Sequence, residues 1–157
     1  MKGLIPHSVV LALALSCDRV SSEELPRHLS VLMTVSETCS ALSFAGETIP
    51  CDGKLVHTEY DDGRVGFYFV GEGPEINVIT FTGRGHEQEA PSKNVRIQPI
   101  DAVILKEGIV KVSGECLFEN PYAGSAKIWC SAKSLSNDQY LGHFLTDGNE
   151  PSLLDLG

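Results

Sequence analysis

Basic residues are scarce in this sequence: 12 Lys and Arg stand against 21 Asp and Glu in 157 residues, a formal net charge of −9. No Lys/Arg cluster interrupts the acidic excess, so the electrostatic footprint of a nucleic-acid binder is missing. The acidity favours solubility and says little about fold. Long apolar runs are also missing. Val9-Val10-Leu11-Ala12-Leu13-Ala14-Leu15 falls far short of the roughly 20 residues a membrane-spanning helix needs. No Gly-x-Ser-x-Gly, His-Glu-x-x-His or phosphate-cradling glycine loop occurs. No Cys-x-x-Cys or Cys/His cluster has zinc-ligand spacing, so neither a metal nor a cofactor is expected. Past Leu42 no stretch shows a 3.6-residue apolar period, and there is no internal repeat or low-complexity segment. Dispersed Ser, His and Asp side chains can still meet in space, which one sequence does not exclude.

What is present begins with a leader. Lys2 precedes the apolar run, which ends in Leu13-Ala14-Leu15-Ser16-Cys17. That pattern suits a signal segment over residues 1–22 with either of two exits. Cleavage before Cys17 would leave Cys17 lipidated, and Val20-Ser21-Ser22 offers small residues for cleavage after Ser22. The other reading is an apolar N-terminal strand or helix of a cytosolic protein. Cysteine parity favours export: the chain has 5 cysteines, and either exit removes Cys17 from the pool. Cys39, Cys51, Cys116 and Cys130 remain, an even set that suggests a disulfide framework in an exported domain.

Turn residues recur at short, fairly even intervals between runs rich in Val, Ile, Thr and aromatics. The expectation is an all-β antiparallel meander of about eight or nine strands, as a small barrel or sandwich with two disulfides. Strands are expected near 30–36, 41–50, 54–60, 65–70, 76–82, 95–105, 109–119, 126–133 and 139–146. Residues 23–42 also admit a helix. Residues 23–148 form one β domain on this reading, 86–94 a polar loop, and 149–157 an irregular tail.

Two hairpins suggest their own registers. With Cys116 opposite Cys130, Phe118 meets Ile128 and Gly114 meets Ala132 on an apolar face shared with Val110 and Val112. On the other face Leu117 meets Trp129, and Glu119 meets Lys127 as an opposite-charge pair. Likewise, Ser43 opposite Glu47 leaves Phe44-Ala45-Gly46 as a three-residue loop that brings Cys39 and Cys51 together. Each disulfide would close a loop of about 12–15 residues, worth on the order of 3 kcal/mol.

Candidate sites are few. His57 and Glu59 share one face of a strand and could supply two metal ligands, but the simpler expectation is a solvated strand face. Arg84-Gly85-His86-Glu87 reads as a polar connection, and His143 has no visible nucleophile beside it. Asn120-Pro121-Tyr122-Ala123-Gly124 reads as a tight turn that can also present Tyr122 to a partner. Trp129 and Leu117 form an outward pair on a rigid hairpin. They are a candidate contact patch unless a second sheet, the N-terminal arm or Leu153-Leu154 covers them.

The pieces Gly-x-Cys-x-Phe-x-Asn-Pro-Tyr-x-Gly, Ile-x-Cys-x-Ala and Phe-x-Thr-Asp-Gly, within Gly114–Gly148, resemble small uncharacterised exported β-rich proteins of Gram-negative bacteria. Ile79-Thr80-Phe81-Thr82-Gly83 fits the same resemblance, which implies export and a β fold but no activity. The first functional expectation is a non-catalytic envelope or periplasmic binding domain, lipid-anchored or freely released, that takes a protein or a small ligand. Its only expected membrane contact is the lipid anchor. The alternative is an inhibitor of a secreted hydrolase. Pro50-Cys51-Asp52-Gly53 resembles the early Cys-Gly segment of small lipoprotein lysozyme inhibitors, whose later Ser-Gly-rich inhibitory loop this chain lacks. A hydrolase with a spatially assembled site is the third reading.

Overall fold

The computed structural model describes residues 29–72 and 78–156. The signal segment expected at 1–22, Cys17 included, lies outside them. Among the described residues there are eleven strands, paired antiparallel. They are β1 (Leu29–Phe44), β2 (Glu47–Thr48), β3 (Cys51–Tyr60), β4 (Arg64–Gly71), β5 (Val78–Arg84) and β6 (Glu89–Ser92). Then follow β7 (Val95–Leu105), β8 (Gly108–Glu119), β9 (Lys127–Ser134), β10 (Gln139–Thr146) and β11 (Ser152–Asp155). No helix among the described residues is long and apolar enough to cross a membrane.

Most neighbours in sequence are neighbours in the sheet, as short connections favour. The order β1-β3-β4-β5-β7-β8-β9-β10 is completed by pairing of β10 with β1, so eight strands form a closed ring. Closure leaves only short stretches of edge, on β1 and β7, and these pair with β11 and β6. The long strand β1 makes it work: its first half pairs with β3 and its second half with β10, with a bulge between Cys39 and Ala41.

Alternation sends one side chain in two into the ring. One interior row runs Met33, His57, Phe67, Phe81, Val103, Val110 across six consecutive strands, each opposite the next. A second runs Val35, Leu55, Phe69, Ile79. Phe67, Phe69, Phe81, Leu42, Leu55 and Val103 are fully buried and fill the centre. Gly142 belongs there because a Cβ would lie 2.7 Å from the Phe69 ring.

Both disulfides form as paired in the sequence: Cys39–Cys51 and Cys116–Cys130. The β8–β9 register is also as expected, with Cys116 opposite Cys130, Phe118 opposite Ile128 and Leu117 opposite Trp129. The Glu119 carboxylate, however, accepts from the backbone N–H of Lys127 at 2.9 Å.

Four expectations need correction. The separate strands at 30–36 and 41–50 are one strand to Phe44, because the polar stretch 37–40 is absorbed by the bulge without a turn. The following connection has two residues: Ser43 pairs with Thr48 and Phe44 with Glu47, one step from the expected register. Ala45 (φ 49°) and Gly46 (φ 85°) are both left-handed there, the geometry of a hairpin turn whose twist matches its strands. Residues 149–157 are not wholly irregular. β11 pairs with Val31–Thr34 of β1, on the edge that β10 leaves when it ends at Thr146. Finally, the expected polar loop at 86–94 contains β6, a short strand added to β7.

Candidate functional site

Strand ends from several parts of the ring meet around one opening. β3 brings His57 and Glu59 there on its interior face, since they alternate with buried Leu55. The solvated-face expectation therefore fails for His57, which is 6% exposed. In sequence the solvated face was the favoured side for His57, because Val56, Thr58 and Tyr60 on the other face suit a core well. Pairing of Leu55 with Phe69 and of His57 with Phe67 settles the side. The His57 ring packs on Phe67 at 4.6 Å between centroids and on Phe118 at 5.9 Å, and Phe67 and Phe118 lie 5.2 Å apart.

His57 is oriented from both sides. Its Nδ1 lies 3.1 Å from the Gly66 carbonyl, which can only accept, so Nδ1 carries a proton. Its Nε2 lies 3.7 Å from Glu59 Oε1. The neighbouring His57 imidazole holds the Glu59 carboxyl below its ordinary value, and partial burial opposes that shift.

The opposite side of the opening comes from β6, β7 and their turn. Arg96 alternates with Gln98 and Ile100, both buried, on the interior face of β7. Its Nη1 donates to the carbonyls of Ser92 (3.0 Å) and Val95 (3.1 Å). Gln98, 0% exposed, donates through Nε2 to the Arg84 and Pro99 carbonyls at 2.9 Å and accepts from Gln88 Nε2 at 3.4 Å. A buried amide so satisfied holds Gln88, which does line the wall, against β7. The third side is the β8–β9 loop. There Asn120 Oδ1 accepts from the Tyr122 N–H at 3.0 Å and Pro121 is buried, so the turn holds Tyr122 half-exposed at the rim.

Together these elements enclose a cavity of about 360 Å³. Val31, Met33, Phe118, Pro121, Tyr122 and Leu153 give it apolar walls; His57, Glu59, Gln88, Lys93, Asn94, Arg96 and Asn120 supply its polar groups. A concave, mostly apolar space with a few convergent polar groups is the usual form of a small-ligand site, and the mouth of a β-barrel is a usual place for one. Among the described residues no Ser, Thr or Cys lines it. Among the described residues no group of three or more His, Cys, Asp or Glu could hold a metal ion.

Of the sequence candidates, Tyr122 reaches this site, whereas Trp129 and Leu117 do not. They lie on the outer face, in a row Ile97, Leu117, Trp129, His143, Ala41 in which each residue is opposite the next across five strands. Trp129 is 54% exposed, so the C-terminal Leu153-Leu154 segment, which pairs with β1, does not cover it. His143 packs against the indole at 4.7 Å, and its Nε2 is buried without a hydrogen-bond partner among the described residues. His86 sits in the exposed turn after β5, 3.9 Å from Glu87. Lys93, Arg96, Phe118 and Leu153 were missed as site residues. Period-two alternation from Ile100 could have flagged Arg96 as an interior cation, but the other three depend on closure of the ring. The sequence matches no family model, and neither a curated protein nor a solved structure matches the chain.

Proposed function

We propose that the protein is an exported, non-catalytic binding domain that takes a small ligand in the cavity at the mouth of its strand ring. The observation that carries this reading is the cavity itself: apolar walls, polar groups gathered at its rim and walls fixed by Gln98 and the Asn120 turn. The two disulfides support an oxidising, exported compartment. The leader at 1–22, with lipidation at Cys17 or cleavage after Ser22, supplies the route. Export to the periplasm, anchored or free, is part of the proposal, and mass spectrometry of the native N-terminus tests it. An intact Met1 in a cytosolic fraction would contradict it. A hydrolase would also place a histidine beside a carboxylate, but here the imidazole is hydrogen-bonded to Gly66 and faces Glu59, and among the described residues no Ser, Thr or Cys nucleophile stands on the wall.

The binding reading is tested with Nile red, a neutral apolar dye whose emission rises on transfer from water. Saturable one-to-one binding is expected, weakened in Tyr122→Ala and Leu153→Ala, whose side chains are half-exposed and line the cavity. Binding that ignores both substitutions and follows Trp129→Ala would move the site to the outer face.

A further inference from the structure

We infer that the ligand of this cavity is an amphipathic carboxylate, with its apolar body against Val31, Met33, Phe118 and Leu153 and its head on Arg96 and Lys93. The inference rests on the cavity being the ligand site and adds the chemical class.

Charge carries the argument. Arg96 projects from the interior face of β7, and among the described residues its hydrogen bonds go through one terminal nitrogen to two neutral carbonyls. A guanidinium has five N–H donors in a fixed fork, so Nη2 and Nε retain capacity for an acceptor. Among the described residues neither Arg96 nor Lys93 takes part in an ion pair. The contrast is Arg64 on the outer face, whose two terminal nitrogens engage both oxygens of Asp101. In a chain with 21 acidic residues against 12 basic ones, two cations left without a carboxylate beside an apolar cavity are a complementary site for an anion.

The rim also carries a carboxylate, which decides where the head sits. Glu59 projects from β3 and is engaged by His57, 3.7 Å away. A ligand carboxylate is repelled from that side and drawn to the β6–β7 turn. The apolar residues named above lie on β1, β8 and β11, between these two sides, and receive the body. A planar carboxylate matches the free edge of a guanidinium in two parallel hydrogen bonds.

The test is calorimetric titration of the exported chain with decanoate, decanol and decyltrimethylammonium, matched in chain length and kept below their micelle concentrations. Decanoate is expected to bind about tenfold or more tightly than decanol, the range for a hydrogen-bonded charge. Arg96→Gln should bring decanoate down toward decanol while leaving decanol unchanged. Lys93→Gln, at an exposed turn position, repeats the test where folding is not at risk. Equal binding of decanoate and decanol overturns the carboxylate assignment and leaves the cavity standing as an apolar site. Tighter binding of decyltrimethylammonium overturns it in favour of Glu59. Failure of all three to bind overturns this inference together with the cavity reading.

Discussion

The two disulfide-held hairpins solve the same problem differently. In β8–β9 the cysteines stand directly opposite each other in the ladder and are 0% exposed. The disulfide there lies on the interior face, among side chains that already fix the register. In the β1–β3 region Cys39 and Cys51 do not pair in the ladder. They sit either side of a bulge and a two-residue turn, and both are half-buried. Here the covalent bond joins strands where regular pairing is interrupted. The first bridge reinforces a register that alternation sets; the second holds the place where β1 exchanges one partner for another.

The largest expected effects come from removing the bridges. Sequence separations of 12 and 14 give nearly equal loop entropies, about 3 kcal/mol each. Burial then decides the difference. Cys116→Ala with Cys130→Ala also leaves a void in the core and should cost about 4 kcal/mol. Cys39→Ala with Cys51→Ala should cost about 3 kcal/mol. Urea unfolding measures both, and equal losses would break the comparison.

Next is the outer face of the β8–β9 hairpin. Trp129→Ala removes cross-strand contacts with Leu117 and His143 and should cost about 1 kcal/mol or less. The chain has 1 Trp, so its fluorescence reports this position alone. Emission should be red-shifted and quenched by iodide. Blue-shifted emission with an unfolded mutant would place Trp129 in the core.

A gain of about 0.5–1 kcal/mol is expected from Ala45→Asn in the turn that precedes Cys51, since Asn tolerates positive φ better than Ala does. A loss in thermal melting would show that the left-handed pair at 45–46 is misassigned.

The smallest effect is pH-dependent and belongs to the end of β3. Glu59 has a lowered folded-state pKa through its contact with the His57 imidazole. Its contribution is therefore present above the ordinary carboxylate pKa and is lost as pH falls through the lowered folded value. Glu59→Gln should flatten that acid limb of the stability profile. An unchanged limb would mean that the His57 contact does not form.

The comparison also explains what the sequence could disclose. The β8–β9 register was legible because a disulfide, an apolar face and an unambiguous Asn-Pro turn all demanded one alignment. The β1–β2 turn was not, because Ala45 gives no sign that it adopts positive φ and the expected three-residue loop Phe44-Ala45-Gly46 closes the chain almost as well. The polar stretch 37–40 looked like a break because a bulged strand and a loop have the same composition. β11 escaped because four exposed residues become a strand only when a free edge of β1 is there to pair with them. The cavity was illegible for the same reason. Met33, His57, Arg96, Phe118 and Leu153 come from five strands whose meeting is decided by ring closure, not by local pattern.

The mouth of the ring, rather than the Trp129 face, is the proposed binding site of this protein. Amide and side-chain NMR shifts during a decanoate titration test that residue by residue. Saturable shifts are expected at Val31, Met33, His57, Phe118 and Leu153, with Ile97, Leu117, Trp129 and His143 unmoved. Shifts confined to the Ile97–His143 row, with the mouth residues silent, would contradict it.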